Sequence, residues 1–206
     1  VVDLPLSIDT TNLVAMEAGL RAHQKGGRPV INSISLQPER LEAGLPLVTK
    51  YNAIMIGLLW GTEGMPRDAN ERAALAVDLV YRANEAGIPN EDIWIDPIVS
   101  PVSVEINQVL ACLEFMQMLS DIAPGCGSVV GLSNVSNGTP THLRPMLNRT
   151  YLIMLMRYGL KAAIVDAFDE ELIRIARGQM PEIVQLVHRV MDGDEPDLSK
   201  LSKKEV

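Results

Sequence analysis

The sequence has only two cysteines, Cys112 and Cys126, too few for a disulfide framework or a four-ligand zinc site built on cysteine. It has no apolar run near the roughly 18 residues that a membrane helix needs. No basic segment followed by an apolar one stands at its start, as a secretory signal would. The expectation is a cytoplasmic protein that meets no membrane. Positive charge is in deficit: Lys+Arg 18 against Asp+Glu 26 gives a formal net charge of −8. A nucleic-acid partner, which leaves a basic footprint, is therefore not expected. Aromatic residues are few (two Phe, four Tyr, two Trp), so the core must come from Leu, Ile, Val, Ala and Met. What is present is an ordinary globular composition over 206 residues, 47% hydrophobic and 21% charged. The chain opens at Val1 inside what reads as a strand, so a fragment of a longer protein is expected.

Short apolar runs alternate with longer amphipathic ones. Leu4–Ile8, Pro29–Ile31, Ala53–Leu59, Ile93–Ile95, Ser128–Leu132 and Ala162–Val165 read as buried strands, on length and flanking Gly, Pro and Asn. Helices are predicted over Leu13–His23, Pro38–Tyr51, Ala69–Ala86, Val102–Leu119, Thr141–Tyr158, Glu170–Arg177 and Pro181–Met191. Thr10, Thr11 or Asn12 can cap the first. Gly44 and Pro46 suggest a break or kink in the second, and Gly87 a stop for the third. The polar stretch 192–206 reads as a tail or as the start of a truncated helix.

Such alternation means a parallel sheet covered by helices. It contains neither G-x-G-x-x-G after a strand nor a G-x-x-x-x-G-K-[ST] loop, which disfavours the nucleotide-binding open sheets. A closed (β/α)8 barrel gains from one regularity. Asp9, Asn32, Asp96, Ser133 with Asn134, and Asp166 each stand at or just after the end of an apolar run. In a barrel those ends converge on one mouth, where the active site lies. The plainer reading of any one of them is a helix cap or turn residue. A full barrel takes about 250 residues. The six units seen here fall two short, so a barrel domain over residues 1–191 would lack its first two strands and hold strands three to eight; the family resemblance described below implies that the last helix is missing as well.

A metal site is not expected, because His23, His142 and His188 are far apart and lack neighbours at ligand spacing. Cys112 falls on an apolar helical face and reads as core. Cys126 precedes a strand without an evident His partner. Gly131-Leu132-Ser133-Asn134-Val135 fails the nucleophile-elbow pattern at its fifth position. Met116, Met118, Met154 and Met156 lie in apolar helices and read as packing. What remains is a mouth rich in carboxylate and carboxamide groups and poor in cations. It suits a neutral ligand with many N–H donors, such as a pterin, whose ring N–H and exocyclic amine one carboxylate can accept as a fork.

These residues carry a resemblance. Leu6-Ser7-Ile8-Asp9-Thr10-Thr11-Asn12, Ile31-Asn32-Ser33, Ile95-Asp96-Pro97, Gly131-Leu132-Ser133-Asn134-Val135-Ser136-Asn137-Gly138 and Leu147-Asn148-Arg149-Thr150 resemble the pterin-binding methyltransferase family. They are most like the methyltetrahydrofolate:corrinoid/iron–sulfur protein methyltransferases of acetyl-CoA-pathway organisms. The resemblance implies a homodimeric (β/α)8 barrel of the dihydropteroate synthase-like superfamily. With only six strands, such a barrel would be open and would expose two strand edges. The resemblance also implies one-carbon chemistry: methyl transfer between N-5 of methyltetrahydrofolate and the cobalt of cobalamin, by in-line attack of Co(I). The cobalamin is carried by a partner corrinoid protein, an iron–sulfur one in that branch. This chain has no Asp-x-His-x-x-Gly string with which to ligate cobalt itself.

By the same resemblance Asn134 lies nearest N-5 and turns its amide to follow protonation there, with the proton drawn from solvent. Asp96 makes the fork to the pyrimidine edge. Asn32 and Asp9 hold the opposite ring edge, Asp9 also aiding protonation electrostatically, and Ser133 and Arg144 complete the set. Dihydropteroate synthase shares the implied fold. Its Ser-Arg-Lys type motif is replaced here by a turn holding Asn134, which disfavours pyrophosphate displacement. Two further readings stay open: a pterin-holding module of a larger cobalamin-dependent enzyme, and a purely structural barrel fragment.

Overall fold

The computed structural model describes residues 3–23 and 26–195. Residues 196–206, most of the expected polar tail, lie outside the described residues. Six parallel strands form one sheet in sequence order: β1 (Ser7–Asp9), β2 (Val30–Ser35), β3 (Ile54–Leu58), β4 (Ile93–Asp96), β5 (Gly127–Gly131) and β6 (Ala162–Ile164). The helices are α1 (Leu13–Ala22), α2 (Pro38–Tyr51), α3 (Ala69–Glu85), α4 (Ile106–Ile122), α5 (Arg144–Arg157), α6 (Glu170–Ala176) and α7 (Pro181–Met191). A doubly wound sheet reverses its strand order at a switch point, and this one does not. With right-handed crossovers throughout, sequential order places every helix on one face, which is half of a barrel.

The two faces carry different residues. Ile31, Ile34, Met55, Ile93, Ile95 and Val130 join the main core against the helices. On the opposite face Val30, Ile56 and Val129 form a small cluster of their own, with Ile54, Trp94 and Ala162 beside it. Two glycines let the helices come close. A β-carbon on Gly57 would stand 2.6 Å from Leu79 Cδ2 of α3, and one on Gly44 would stand 2.9 Å from Ile34 Cδ1 of β2.

Local rules explain the ends. Asn12 Oδ1 accepts the N–H groups of Val14 and Ala15 at 3.0 and 3.1 Å, so Asn12 is the cap of α1. Gly87 turns with φ +82° after α3. No break occurs at Pro46: α2 runs through it to Tyr51, and the Pro46 carbonyl accepts the Thr49 hydroxyl at 3.1 Å. The predicted helix over Val102–Leu119 starts later, at Ile106, because the preceding turn makes bonds elsewhere. Val102 N–H reaches Val135 O at 2.9 Å, and Ser103 Oγ reaches Asn137 O at 2.7 Å. Likewise α5 starts at Arg144, with Pro145 in its first turn, rather than at Thr141. At the opposite end of the sheet Arg28 forks Asp92 with two bonds of 2.6 Å. Cys112 is fully buried and Met116, Met118, Met154 and Met156 pack into the core, as read from the sequence.

Candidate functional site

Alternation along each strand decides what lines the helix-free face. Asn32 is two residues from Val30, Asp96 two from Trp94 and Gly131 two from Val129, so all three belong to that face. Asp9 belongs there too, since Ile8 packs toward α1 against Gly19. Asp9 and Asn32 are register partners on neighbouring strands, so their side chains stand side by side. Beyond Asn32, β2 bulges before Ile34, which brings Ser35 into register with Leu58. Leu58 in turn pairs with Asp96. The wall therefore climbs from Asp9 and Asn32 to Asp96, one layer nearer the strand ends.

Asp96 is the most perturbed acid of the wall. Burial pushes its carboxyl from 3.8 up to about 6, opposed by the Ile98 N–H that donates to Oδ1 at 2.9 Å. The remaining lone pairs of the carboxylate can accept two further donors. The turn that delivers this N–H is strained: Ile98 has φ +64°, a conformation that a β-branched residue rarely adopts.

After β5 the chain makes a tight 3-10 turn, Leu132–Ser136. Asn134 lies on it, and its Nδ2 would be 3.4 Å from a β-carbon at Gly131, so the amide folds back over the end of β5. The turn is braced from several sides. Ser136 Oγ donates to Ser133 O at 3.1 Å and accepts from Arg144 Nε at 3.3 Å. Thr139 Oγ1 donates to Ser136 O at 2.7 Å. Arg144 thus supports the turn that carries Ser133 and Asn134. Ser133 and Asn134 are themselves exposed.

Across the mouth Arg40 ties the first two units together, donating to Thr11 O at 2.7 Å and to Ser33 O. Asp166 Oδ1 takes the Phe168 N–H at 2.9 Å, a turn-forming role. Asp169 caps α6 and is gripped by Arg149. Burial raises its carboxyl pKa, but the Arg149 and backbone bonds outweigh this and the net shift is downward. The thiols are poor nucleophiles, since burial pushes both Cys112 and Cys126 up to about 11. Among the described residues no group of three or more His, Cys, Asp or Glu is placed to hold a metal ion.

Sequence reasoning missed Arg72. This arginine is fully buried in α3 and donates to Pro97 O, directly behind Asp96, at 2.9 Å. The signal was there: Arg72 falls on the same helical stripe as Ala76, Leu79 and Ala83, all buried. A lone guanidinium on an apolar stripe must have buried acceptors.

The family model described as "Pterin binding enzyme" matches residues 1–166. Methionine synthase of Mycobacterium tuberculosis is 28% identical over 174 residues, covering 80% of this chain and 14% of that protein. The methylcorrinoid:tetrahydrofolate methyltransferase of Eubacterium limosum is 24% identical over 174 residues, covering 84% of this chain and 63% of that one. This chain thus spans less than two thirds of either relative. Among solved structures, dihydropteroate synthase of Xanthomonas albilineans in complex with 7,8-dihydropteroate superposes with a TM-score of 0.66 at 20% identity. It covers 87% of this chain and 67% of that one. The Stenotrophomonas maltophilia enzyme gives 0.65 at 16% identity, covering 86% and 69%. At those identities the structures speak for the fold. The family match over most of the chain, with a polar wall at the strand ends of that fold, shows that this protein belongs to the pterin binding enzymes.

Proposed function

We propose that the chain moves a methyl group between N-5 of methyltetrahydrofolate and the cobalt of a corrinoid protein. The observation that carries this reading is the pairing of a desolvated carboxylate with a folded-back carboxamide on adjacent units. Asp96 accepts the ring N–H and exocyclic amine of the pterin as a fork. Asn32 and Asp9 take the other ring edge. Asn134, beyond β5, is left for N-5. The methyltransferase and methionine synthase relatives support a methyl group as the cargo and a corrinoid as the other party.

N-5 of methyltetrahydrofolate is a tertiary amine, and as an anion it would leave very poorly. It must gain a proton or a strong hydrogen bond by the transition state. An amide supplies no proton, but it accepts from protonated N-5 through oxygen and donates to neutral N-5 through nitrogen. Bonding that strengthens only as N-5 takes up charge raises the rate rather than the affinity. The pinned turn that carries Asn134 serves this by holding the amide at the strand end. Ser133 adds a hydroxyl beside it, Arg144 braces the turn, and Asp9 favours the cation from across the mouth. The reduced corrin, carried by the partner protein, supplies the nucleophile when it docks.

The test is anaerobic. The protein is mixed with methyltetrahydrofolate and chemically reduced free cobalamin, and loss of the Co(I) absorbance is followed. Asn134→Ala should lower kcat by roughly 10²-fold, the scale of one preorganised hydrogen bond to a developing charge. Normal turnover of Asn134→Ala would remove its assigned role. A second reading is a pterin-holding module of a larger cobalamin-dependent enzyme, favoured by the small share of the methionine synthases that this chain spans. Tight folate binding without any transfer would decide for it.

A further inference from the structure

We propose that Arg72, which has no place on the pterin-facing wall, is the positioning residue that aims Asp96. The inference deepens the pterin reading and rests on it for the ligand, but not for the geometry. Arg72 has 0% of its surface exposed. Its Nε donates to Pro97 O at 2.9 Å, one terminal nitrogen to Asp68 O at 3.2 Å and the other to Gln108 Oε1 at 2.7 Å. Gln108 passes the chain on, its Nε2 donating to Arg67 O at 2.8 Å. None of these acceptors is a carboxylate. Burial accordingly pulls the guanidinium pKa down, which is the cost of keeping an unneutralised charge there. An apolar residue of similar volume would pack α3 without that cost, so the hydrogen bonds need another reason.

The reason lies in what Pro97 connects. It sits between Asp96 and Ile98, and Ile98 holds the φ of +64° that turns its N–H onto Asp96 Oδ1. A β-branched residue leaves that conformation unless something outside it holds the turn. The Arg72 bond to Pro97 O is such a hold, applied from the helix side of the sheet. Through Asp68 and Gln108 the same guanidinium fixes the chain entering α3 and the first turn of α4. Without it the Asp96–Ile98 turn relaxes, the N–H swings away, and the carboxylate is no longer aimed.

Two measurements on the full chain test this. The first needs no ligand: hydrogen exchange of the Ile98 amide by NMR. Gln108→Leu leaves Arg72 in place but removes one of its acceptors. It lowers stability by removing an acceptor from a buried charge, but it should speed Ile98 exchange at least tenfold more than it speeds exchange of the amides within α3. Unchanged Ile98 protection would overturn the proposal. The second is a double-mutant cycle on methyltetrahydrofolate binding, read by tryptophan quenching. Arg72→Lys, and Gln108→Leu should Arg72→Lys fail to fold, should weaken binding about tenfold in the wild-type background and not at all in Asp96→Asn. An equal loss in both backgrounds would mean a merely structural role and would also overturn it. If wild type binds no pterin yet Ile98 loses protection in Gln108→Leu, the pterin reading fails and the positioning of Asp96 stands.

Discussion

The two sides of the mouth are built differently. On the β4–β5 side every polar group offered to a ligand is held from behind. Asp96 is bonded to Ile98, Pro97 is bonded to Arg72, and the turn carrying Asn134 is braced by Ser136, Arg144 and the Val102–Ser103 turn. On the β1 side Asp9 stands exposed at the end of a three-residue edge strand. Asn32 beside it is half-buried, next to a bulge. The contrast teaches where the site spends its order. The fully buried Arg72 and the left-handed Ile98 both stand behind the pyrimidine fork, where orientation controls binding and rate. On the side assigned to the far ring edge Arg40 ties the backbone at Thr11 and Ser33, but the Asp9 side chain itself is left exposed.

The sharpest break of this comparison is Asp96→Ala against Asp9→Ala. Loss of a half-buried, charge-assisted fork should weaken methyltetrahydrofolate binding by about 10²-fold. Loss of the exposed Asp9 should cost only a few-fold. Calorimetric titration of both variants checks this, and equal losses would erase the distinction. Next in size is Gly57→Ala on β3, the strand between the two sides. The new β-carbon meets Leu79 at 2.6 Å, so overpacking should lower stability by about 1–3 kcal/mol in denaturant melts.

Acid then separates the two sides. Asp96 is raised from 3.8 to about 6, so it is mostly ionised at pH 7 and only about a tenth ionised at pH 5. A fork needs the carboxylate, so affinity should fall about tenfold from pH 7 to pH 5, and Asp96→Asn should abolish that slope. Stability moves the other way. Between about pH 4 and 6 the folded protein keeps a proton that the unfolded chain has lost. Asp96's contribution to stability therefore declines as pH rises through that window. Opposite signs for binding and stability, from titrations at several pH values and melts at the same values, would mark Asp96 as the group responsible. The smallest effect is on the helix that follows Asp9: Asn12→Ala removes the cap of α1 and should cost about 1 kcal/mol in the same melts.

Much of this was legible in the sequence. Among the described residues period and punctuation placed the six strands and seven α-helices, though not the 3-10 turns, because apolar runs of strand length alternate with amphipathic ones and the glycine and asparagine signals sit where backbone geometry requires them. Boundaries slipped at several ends: β1 starts at Ser7 rather than Leu4, β2 runs on to Ser35 and α4 runs on to Ile122. At Val102 and Ser103 helix-compatible residues are drawn into bonds with Val135 and Asn137 that shape the mouth, and local propensity carries no trace of those distant partners; at Thr141–Leu143 a local turn, with the Leu143 N–H on Pro140 O, precedes the helix. Pro46 misled in the other direction, since tertiary packing carries α2 through it. Polar residues at strand ends could be read, since alternation assigns their face. What held them could not. The strained φ of Ile98, and a buried arginine three elements wide in its reach, depend on contacts between residues 25 and 36 positions apart.

The central claim is that a pterin is held on the β4–β5 wall by Asp96. Trp94 stands on the same face of β4, two residues below it, so a ligand held by Asp96 is expected to alter its fluorescence. The measurement is a quenching titration of the tryptophan fluorescence with methyltetrahydrofolate at pH 7, in wild type, Asp96→Ala and a Trp94→Phe control. Saturable quenching in wild type, sharply weakened in Asp96→Ala and much reduced in amplitude in Trp94→Phe, is the expected result. No quenching in wild type, or the same titration curve for wild type and Asp96→Ala, would contradict it.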